Sequence, residues 1–181
     1  MYPHNQGRPF QVHCDLEEEE GWGLLLNYER PAGSNQELNF LQDGFPVPAN
    51  QDLSWGQVSQ KTLKSIAGRI SELRFRCQTS GHNFVVDFSV SDPDSINYVV
   101  SGSGSFSGYS KKYRVLNGNT ASFSGKISVF GEDQNEKALT EKPFSHFDGN
   151  SWAIRSEGEH WSCAQGNVYF DFDSHHQVFF K

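Results

Sequence analysis

Alternation of apolar and polar positions recurs along this chain and predicts a fold built mainly of strands. Phe10 and Val12 alternate with polar neighbours over Pro9 to His13, and Trp22 to Tyr28 is a mostly apolar run. The two read as paired strands joined across the acidic turn Glu17 to Glu20, whose adjacent carboxylates repel one another and belong in solvent. Glu72 to Cys77 and Phe84 to Val90 alternate at period two around Ser80-Gly81-His82-Asn83, which predicts a hairpin with one buried face. Further strands are predicted at Ile96 to Val100, Tyr113 to Leu116, Ala121 to Phe130, Trp152 to Arg155, Asn167 to Phe172 and Gln177 to Phe180. Gly, Ser, Asn and Asp separate them, as turns require.

The clearest helix is predicted over Gln57 to Ala67, where Leu63, Ile66, Ala67 and Ile70 fall at i, i+3, i+4 and i+7. Ser54 or Ser59 can cap its start and Gly68 can stop it. A short second helix is predicted at Glu136 to Glu141. Arg30 to Leu53, with Pro31, Pro46 and Pro48 among Gly, Asn and Asp, has the chemistry of a long loop. Ser101 to Ser110 has the composition of a linker, yet Phe106 and Tyr109 within it favour a loop or a small-residue strand inside one domain. The expected class is α+β: a twisted, mainly antiparallel sheet, one main amphipathic helix against it, and long loops.

Composition narrows the function classes. The 181 residues fit one domain with a proper core, and 15 Phe, 6 Tyr and 4 Trp against a single Met suit strands and binding surfaces. A formal charge of −7, spread along the chain apart from Glu17 to Glu20, gives a nucleic-acid groove no electrostatic basis. No apolar run approaches the roughly 20 residues of a membrane-spanning helix, so no membrane insertion is expected. The first residues lack the charged and apolar regions of a signal peptide. Cys14, Cys77 and Cys163 are odd in number, so at least one lacks a partner within the chain. Cys77 and Cys163, both in predicted strands, are candidates for a bridge; three buried reduced thiols are the alternative.

Arg8 to Glu29 joins an alternating strand, a cysteine and a Gly-Trp turn in one unit. Phe10, Val12, Cys14, Asp15, Leu16, Gly21, Trp22 and Leu24 to Leu26 resemble the start of a fibrinogen-related domain. Ser54 to Cys77, where a helix feeds a strand, and the aromatic ending His175 to Lys181 continue the resemblance, which spans most of the chain thinly. An acidic run with one glycine before Trp22 replaces the family's Gly-Gly-Gly-Trp-Thr. The resemblance is to short, divergent members and implies a single domain over residues 1–181 lacking its N-terminal edge. It also implies that Cys14 pairs with an upstream cysteine missing here. Such domains are extracellular binding modules, often lectins, which would make this chain a mature fragment beginning at Met1.

Candidate sites follow from residue chemistry. Phe144 to Trp161 concentrates Phe, His and Trp with Asp, Asn and Glu between turn signals, as a sugar site needs. An aromatic face stacks on a pyranose while amides and carboxylates bond its hydroxyls. The expected ligand-binding residues are His146, Asp148, Asn150 and Trp152 with Glu159, His160 and Trp161; both tryptophans as core residues is the plainer reading. Trp22 and Trp55 are expected in the core. Asp171 and Asp173, at i and i+2, share a strand face and are the candidate ligands for calcium, with a solvated edge face as the alternative. The adjacent His175 and His176 point to opposite faces and do not easily share a metal. Cys163 to Phe170 faintly resembles the family's Cys to Asn-Gly-Tyr-Tyr segment, but the cysteine pair bounding the family's calcium loop has no copy here.

No phosphate loop, nucleophile elbow, HExxH, CxxC or EF-hand pattern is present. Asp148, Glu157 and Glu159 are the only suggestion of a hydrolytic acid and base, and their separation is not fixed by sequence. The role that the resemblance implies is an extracellular module, not an enzyme, binding glycans or glycoproteins with calcium as a candidate aid. Weak single-site affinity points to a multidomain or oligomeric setting. The alternative is a structural or protein-docking domain of a larger assembly.

Overall fold

A computed structural model describes residues 13–15, 21–33, 55–58, 60–79, 82–93, 96–97, 100, 108–109, 113–116, 128–129, 144–145, 150–153, 162–165 and 173–181. Its strands in chain order are β1 (Cys14–Asp15), β2 (Trp22–Arg30), β3 (Trp55–Gln57), β4 (Leu73–Thr79), β5 (His82–Val90) and β6 (Gly108–Tyr109). β7 (Tyr113–Val115), β8 (Ser128–Val129), β9 (Phe144–Ser145), β10 (Asn150–Ala153), β11 (Ser162–Gln165) and β12 (Ser174–Phe180) follow. One short helix, α1 (Gln60–Ile66), lies between β3 and β4. The described part is thus an antiparallel β structure with one short helix, broadly α+β.

The larger sheet runs β1-β2-β12-β4-β5-β7, with β3 also on β2, and every pairing is antiparallel. β10 pairs with β9 and β11 in a second sheet that continues through β8 to β6. β11 packs against β4 and β5. The hairpin expected around residues 80–83 is present as β4 and β5. Of the strand expected over Pro9 to His13 only His13 is described, and its carbonyl accepts the Leu24 amide at 2.8 Å; ahead of β2 the described ladder joins Cys14 and Asp15 to Gly23 and Trp22. Gly21 turns into it at φ 57°, a left-handed conformation that glycine adopts without a Cβ clash. Gly23 faces Phe180 in register, and a Cβ there would overlap that ring.

The main core lies on one face of β2, β12, β4 and β5, where Leu26, Val178 and Phe75 align in register and Phe75 stacks on Phe88. Between Val178 and Phe179 the ladder slips by one residue: Val178 faces Leu26, but Phe179 faces Leu24. This bulge puts Leu24 and Phe179 on the opposite face, because neighbours on a strand point opposite ways. There they form a small cluster with Trp22, against which Leu116 packs. Burial on both faces explains why the start of β2 is continuously apolar.

Two expectations are revised. The helix starts later than Gln57, because Trp55 to Gln57 pairs with β2 and the Val58 amide donates to the Leu25 carbonyl at 2.9 Å. It does not stop at Gly68 but tightens into a 3-10 turn over Ala67–Arg69 and leaves through extended Ile70. Leu63, Ile66 and, beyond the helix, Ile70 are buried, and Ala67 is half-buried. Ile96 to Val100, read as a strand, has helical backbone at Ile96, Asn97 and Val100, with the Ile96 amide bonded to the Asp92 carbonyl at 3.0 Å. Alternation over so short an apolar segment does not separate the two periods, and Asp92-Pro93 supplies a helix start. The second predicted helix and the predicted strand at 167–172 lie outside the described residues, as does most of 121–130.

Candidate functional site

Of the loop residues expected to bind a ligand, Asn150 and Trp152 are described, in β10. Asn150 is opposite Gln165, and Trp152 lies between Phe144 and Cys163. His146, Asp148, Glu159, His160, Trp161 and the candidate metal ligand Asp171 lie outside the described residues. Asp173 is exposed just before β12, and its Oδ1 accepts the Ala32 amide at 2.6 Å, fastening the turn that follows β2. Among the described residues no group of three or more His, Cys, Asp or Glu side chains is placed to hold a metal ion.

A different site emerges from register. Gln177 lies opposite Asn27 on one side and Arg76 on the other; His175 lies opposite Glu29 and Gln78. Register partners share a face, so six polar side chains from β2, β12 and β4 occupy one side of the sheet. Just beyond them, Leu24 and the Trp22 cluster close the same face. The result is an open depression of about 310 Å³ lined by Leu24, Asn27, Arg76, Gln78, His175 and Gln177. A second depression of about 430 Å³ at the strand ends is lined by Glu29, Arg30, Pro31, Gln78, Thr79, Asp173, Ser174 and His175. Gln78 and His175 belong to both, whereas Arg30, Ser174 and Thr79 continue the core-face row of Tyr28, His176 and Cys77, so the second depression lies round the strand ends.

Hydrogen bonds set the groove's floor. His175 Nε2 lies 2.7 Å from Asn27 Oδ1, and Gln177 Nε2 donates to the same oxygen at 3.1 Å. With Asn27 buried, this shared acceptor fixes both side chains. Burial holds His175 below the usual imidazole pKa; Glu29 acts to raise it and Arg76 to lower it. Burial likewise lowers Arg30, against the opposing pull of Tyr28 and Asp173. Arg30 and Arg76 balance Glu29 and Asp173 in formal charge, so with His175 neutral the two depressions together carry no net charge.

The His175 shift has a definite sign. An imidazole whose folded pKa lies below its unfolded value, about 6.5, binds more protons unfolded, so stability falls as pH drops through 6.5 toward the folded value. The stability of the native protein relative to His175→Gln is expected to be greater at pH 8 than at pH 5.5. Urea unfolding of both proteins at the two pH values measures it, and a difference independent of pH would contradict the assignment.

His176, the neighbouring histidine, is fully buried on the core face between Tyr28 and Cys77. The pair therefore diverges as strand geometry requires. Sequence reasoning missed the groove, although the polar alternation at 27 and 29, 76 and 78, and 175 and 177 was its signal. Those pairs are remote in sequence, and only strand pairing shows that they converge. No family model, no curated protein and no solved structure matches the chain.

Proposed function

We propose that this protein is an extracellular binding module for carbohydrate or glycoprotein ligands, and that the groove over β2, β12 and β4 is its recognition face. The observation that carries the reading is the convergence of six polar side chains, Arg76 and Glu29 opposite in charge among them, on an open floor. Gln78 and Gln177 offer amides that both donate and accept, as a neutral sugar hydroxyl demands, and buried Asn27 holds Gln177 in place beneath them. Leu24 supplies apolar surface beside them, the usual composition of a small-molecule site. The resemblance of Arg8 to Glu29 to fibrinogen-related domains supports the same role, which requires no catalytic step. Asn150 and Trp152 of β10, with His146, Asp148, Glu159, His160 and Trp161, are a second candidate set for the ligand. Calcium at Asp171 and Asp173 belongs to the proposal as an aid.

A glycan array probed with and without EDTA tests the reading. Binding by the native protein should weaken about tenfold or more in Gln78→Ala/Gln177→Ala, since two lost hydrogen bonds together amount to at least one factor of ten. The unfolding midpoint should move little, because both side chains lie on the groove face. Loss in EDTA would assign calcium a part. Binding unaffected by the double substitution would move the site to the loop surface. No binding to any glycan would favour the protein-docking alternative.

An oxidising setting goes with this proposal, and so does a bridge between Cys77 and Cys163. Cys77 is fully buried, carries no free thiol and sits on β4, against which β11 packs with Cys163 in its backbone. Cys14 is an exposed thiol. Non-reducing peptide mapping of secreted protein should recover Cys77 linked to Cys163 and Cys14 outside that pair. Alkylation of Cys77 without prior reduction would refute the pairing.

A further inference from the structure

We propose that His175 reads the ligand through its Nδ1 atom, as the hydrogen-bond acceptor for a hydroxyl, and that binding is thereby proton-linked: the groove grips its ligand near neutral pH and loosens on acidification. This inference rests on the sugar-binding reading and deepens it. Asn27 Oδ1 carries no hydrogen and accepts Gln177 Nε2 at 3.1 Å, so His175 Nε2, 2.7 Å from the same oxygen, is the nitrogen that holds the imidazole proton. The shared acceptor fixes the tautomer of the neutral ring and leaves a lone pair on Nδ1. Nδ1 has no hydrogen-bond partner among the described residues and is not sealed from solvent, and the half-buried ring lines both depressions.

The other polar groups of the floor do not duplicate this role. Gln78 and Gln177 carry amides that both donate and accept, whereas neutral Nδ1 can only accept. Protonation turns that acceptor into a donor while Nε2 keeps its bond to Asn27, so the floor stays in place and only the contact with the ligand inverts. A ligand seated over the ring also removes its water, which costs an imidazolium far more than an imidazole. Both effects oppose binding by the protonated form. Among the described residues the charged groups facing the ring are Glu29 on β2, opposite in register, Arg76 on β4, and Arg30 and Asp173 round the strand ends. Burial holds His175 below the usual imidazole range, Glu29 opposing that shift and Arg76 adding to it, so the ring is neutral above pH of about 6.5 and takes up its proton below it.

The nitrogen chemical shifts of labelled histidine in the intact chain read the tautomer directly. At pH 8 His175 should be protonated at Nε2, and a proton on Nδ1 would overturn the proposal. Glucose, galactose and mannose are then titrated at pH 8 and pH 5 and followed by the amide signals of Gln78, His175 and Gln177. For the sugar that binds tightest, affinity should fall about threefold to tenfold at pH 5, since one competing proton changes affinity by at most about tenfold per pH unit. By reciprocity, saturating sugar should lower the pKa of His175. His175→Gln, which keeps a donor for Asn27 and does not titrate, should bind more weakly than the native protein at pH 8 and with the same affinity at both pH values. A native affinity independent of pH, tighter binding at pH 5, or a fall that persists in His175→Gln would overturn the proton linkage while preserving the sugar-binding reading. Failure of all three sugars to bind at either pH would overturn both. Should His175→Gln fail to fold, the displacement of the His175 pKa by sugar in the native chain still decides.

Discussion

Replacing Asp87 with alanine is expected to destabilise the protein by about 3–5 kcal/mol, the cost of breaking a buried ion pair from one side. Asp87 accepts Arg74 Nε at 2.8 Å and Arg74 Nη2 at 2.7 Å, a two-pronged bond between side chains 0% and 3% exposed. The guanidinium also lies 5.8 Å from the Trp22 ring centre and 5.5 Å from that of Phe179. Without the carboxylate, a permanent positive charge stays against these rings, short of its bidentate partner and away from water. The aromatic faces offset only part of that loss, about 0.5–2 kcal/mol for a ring. The double replacement Arg74→Met/Asp87→Leu should recover most of the stability, since it removes both desolvation costs. Urea unfolding of the three proteins measures both effects. A single-substitution cost below about 1 kcal/mol would mean that the pair is solvated like a surface bridge.

Phe88→Ala is expected to cost a similar 3–5 kcal/mol for a different reason, the loss of transfer energy plus an unfilled cavity. Phe88 and Phe75 stack with ring centres 5.6 Å apart and planes 18° apart, and neither is more than 1% exposed. Phe88→Leu fills most of the space and should cost clearly less. The site supplies the discriminating readout. Phe88 lies on the core face while the groove occupies the other side of the sheet, so the folded fraction of Phe88→Leu should bind ligand as the native protein does. Groove substitutions should show the converse, weaker binding at nearly native stability. A loss of ligand affinity in folded Phe88→Leu, measured well below its unfolding midpoint, would show that the two faces are coupled.

By itself the sequence determined the strand and hairpin signals at 73–90, the apolar run of β2 and the closing strand. These follow from local periodicity, since a period of 2 or 3.6 needs no knowledge of distant partners. It also determined that His175 and His176 diverge. The helix limits and the backbone at 96–100 were not legible: pairing of Trp55 to Gln57 with β2 overrode local helical spacing, and a short apolar stretch is compatible with either period. Only the tertiary structure decided that β12, from the end of the chain, inserts between β2 and β4. That insertion aligns Asn27 and Glu29, Arg76 and Gln78, and His175 and Gln177 into one groove. It also brings Arg30, Ser174 and Thr79 into one row, and the bulge at Val178 and Phe179 moves Leu24 to the groove side. Strand order and register arise from side-chain packing between segments far apart in the chain, whereas alternation within one segment specifies only which residues share a face.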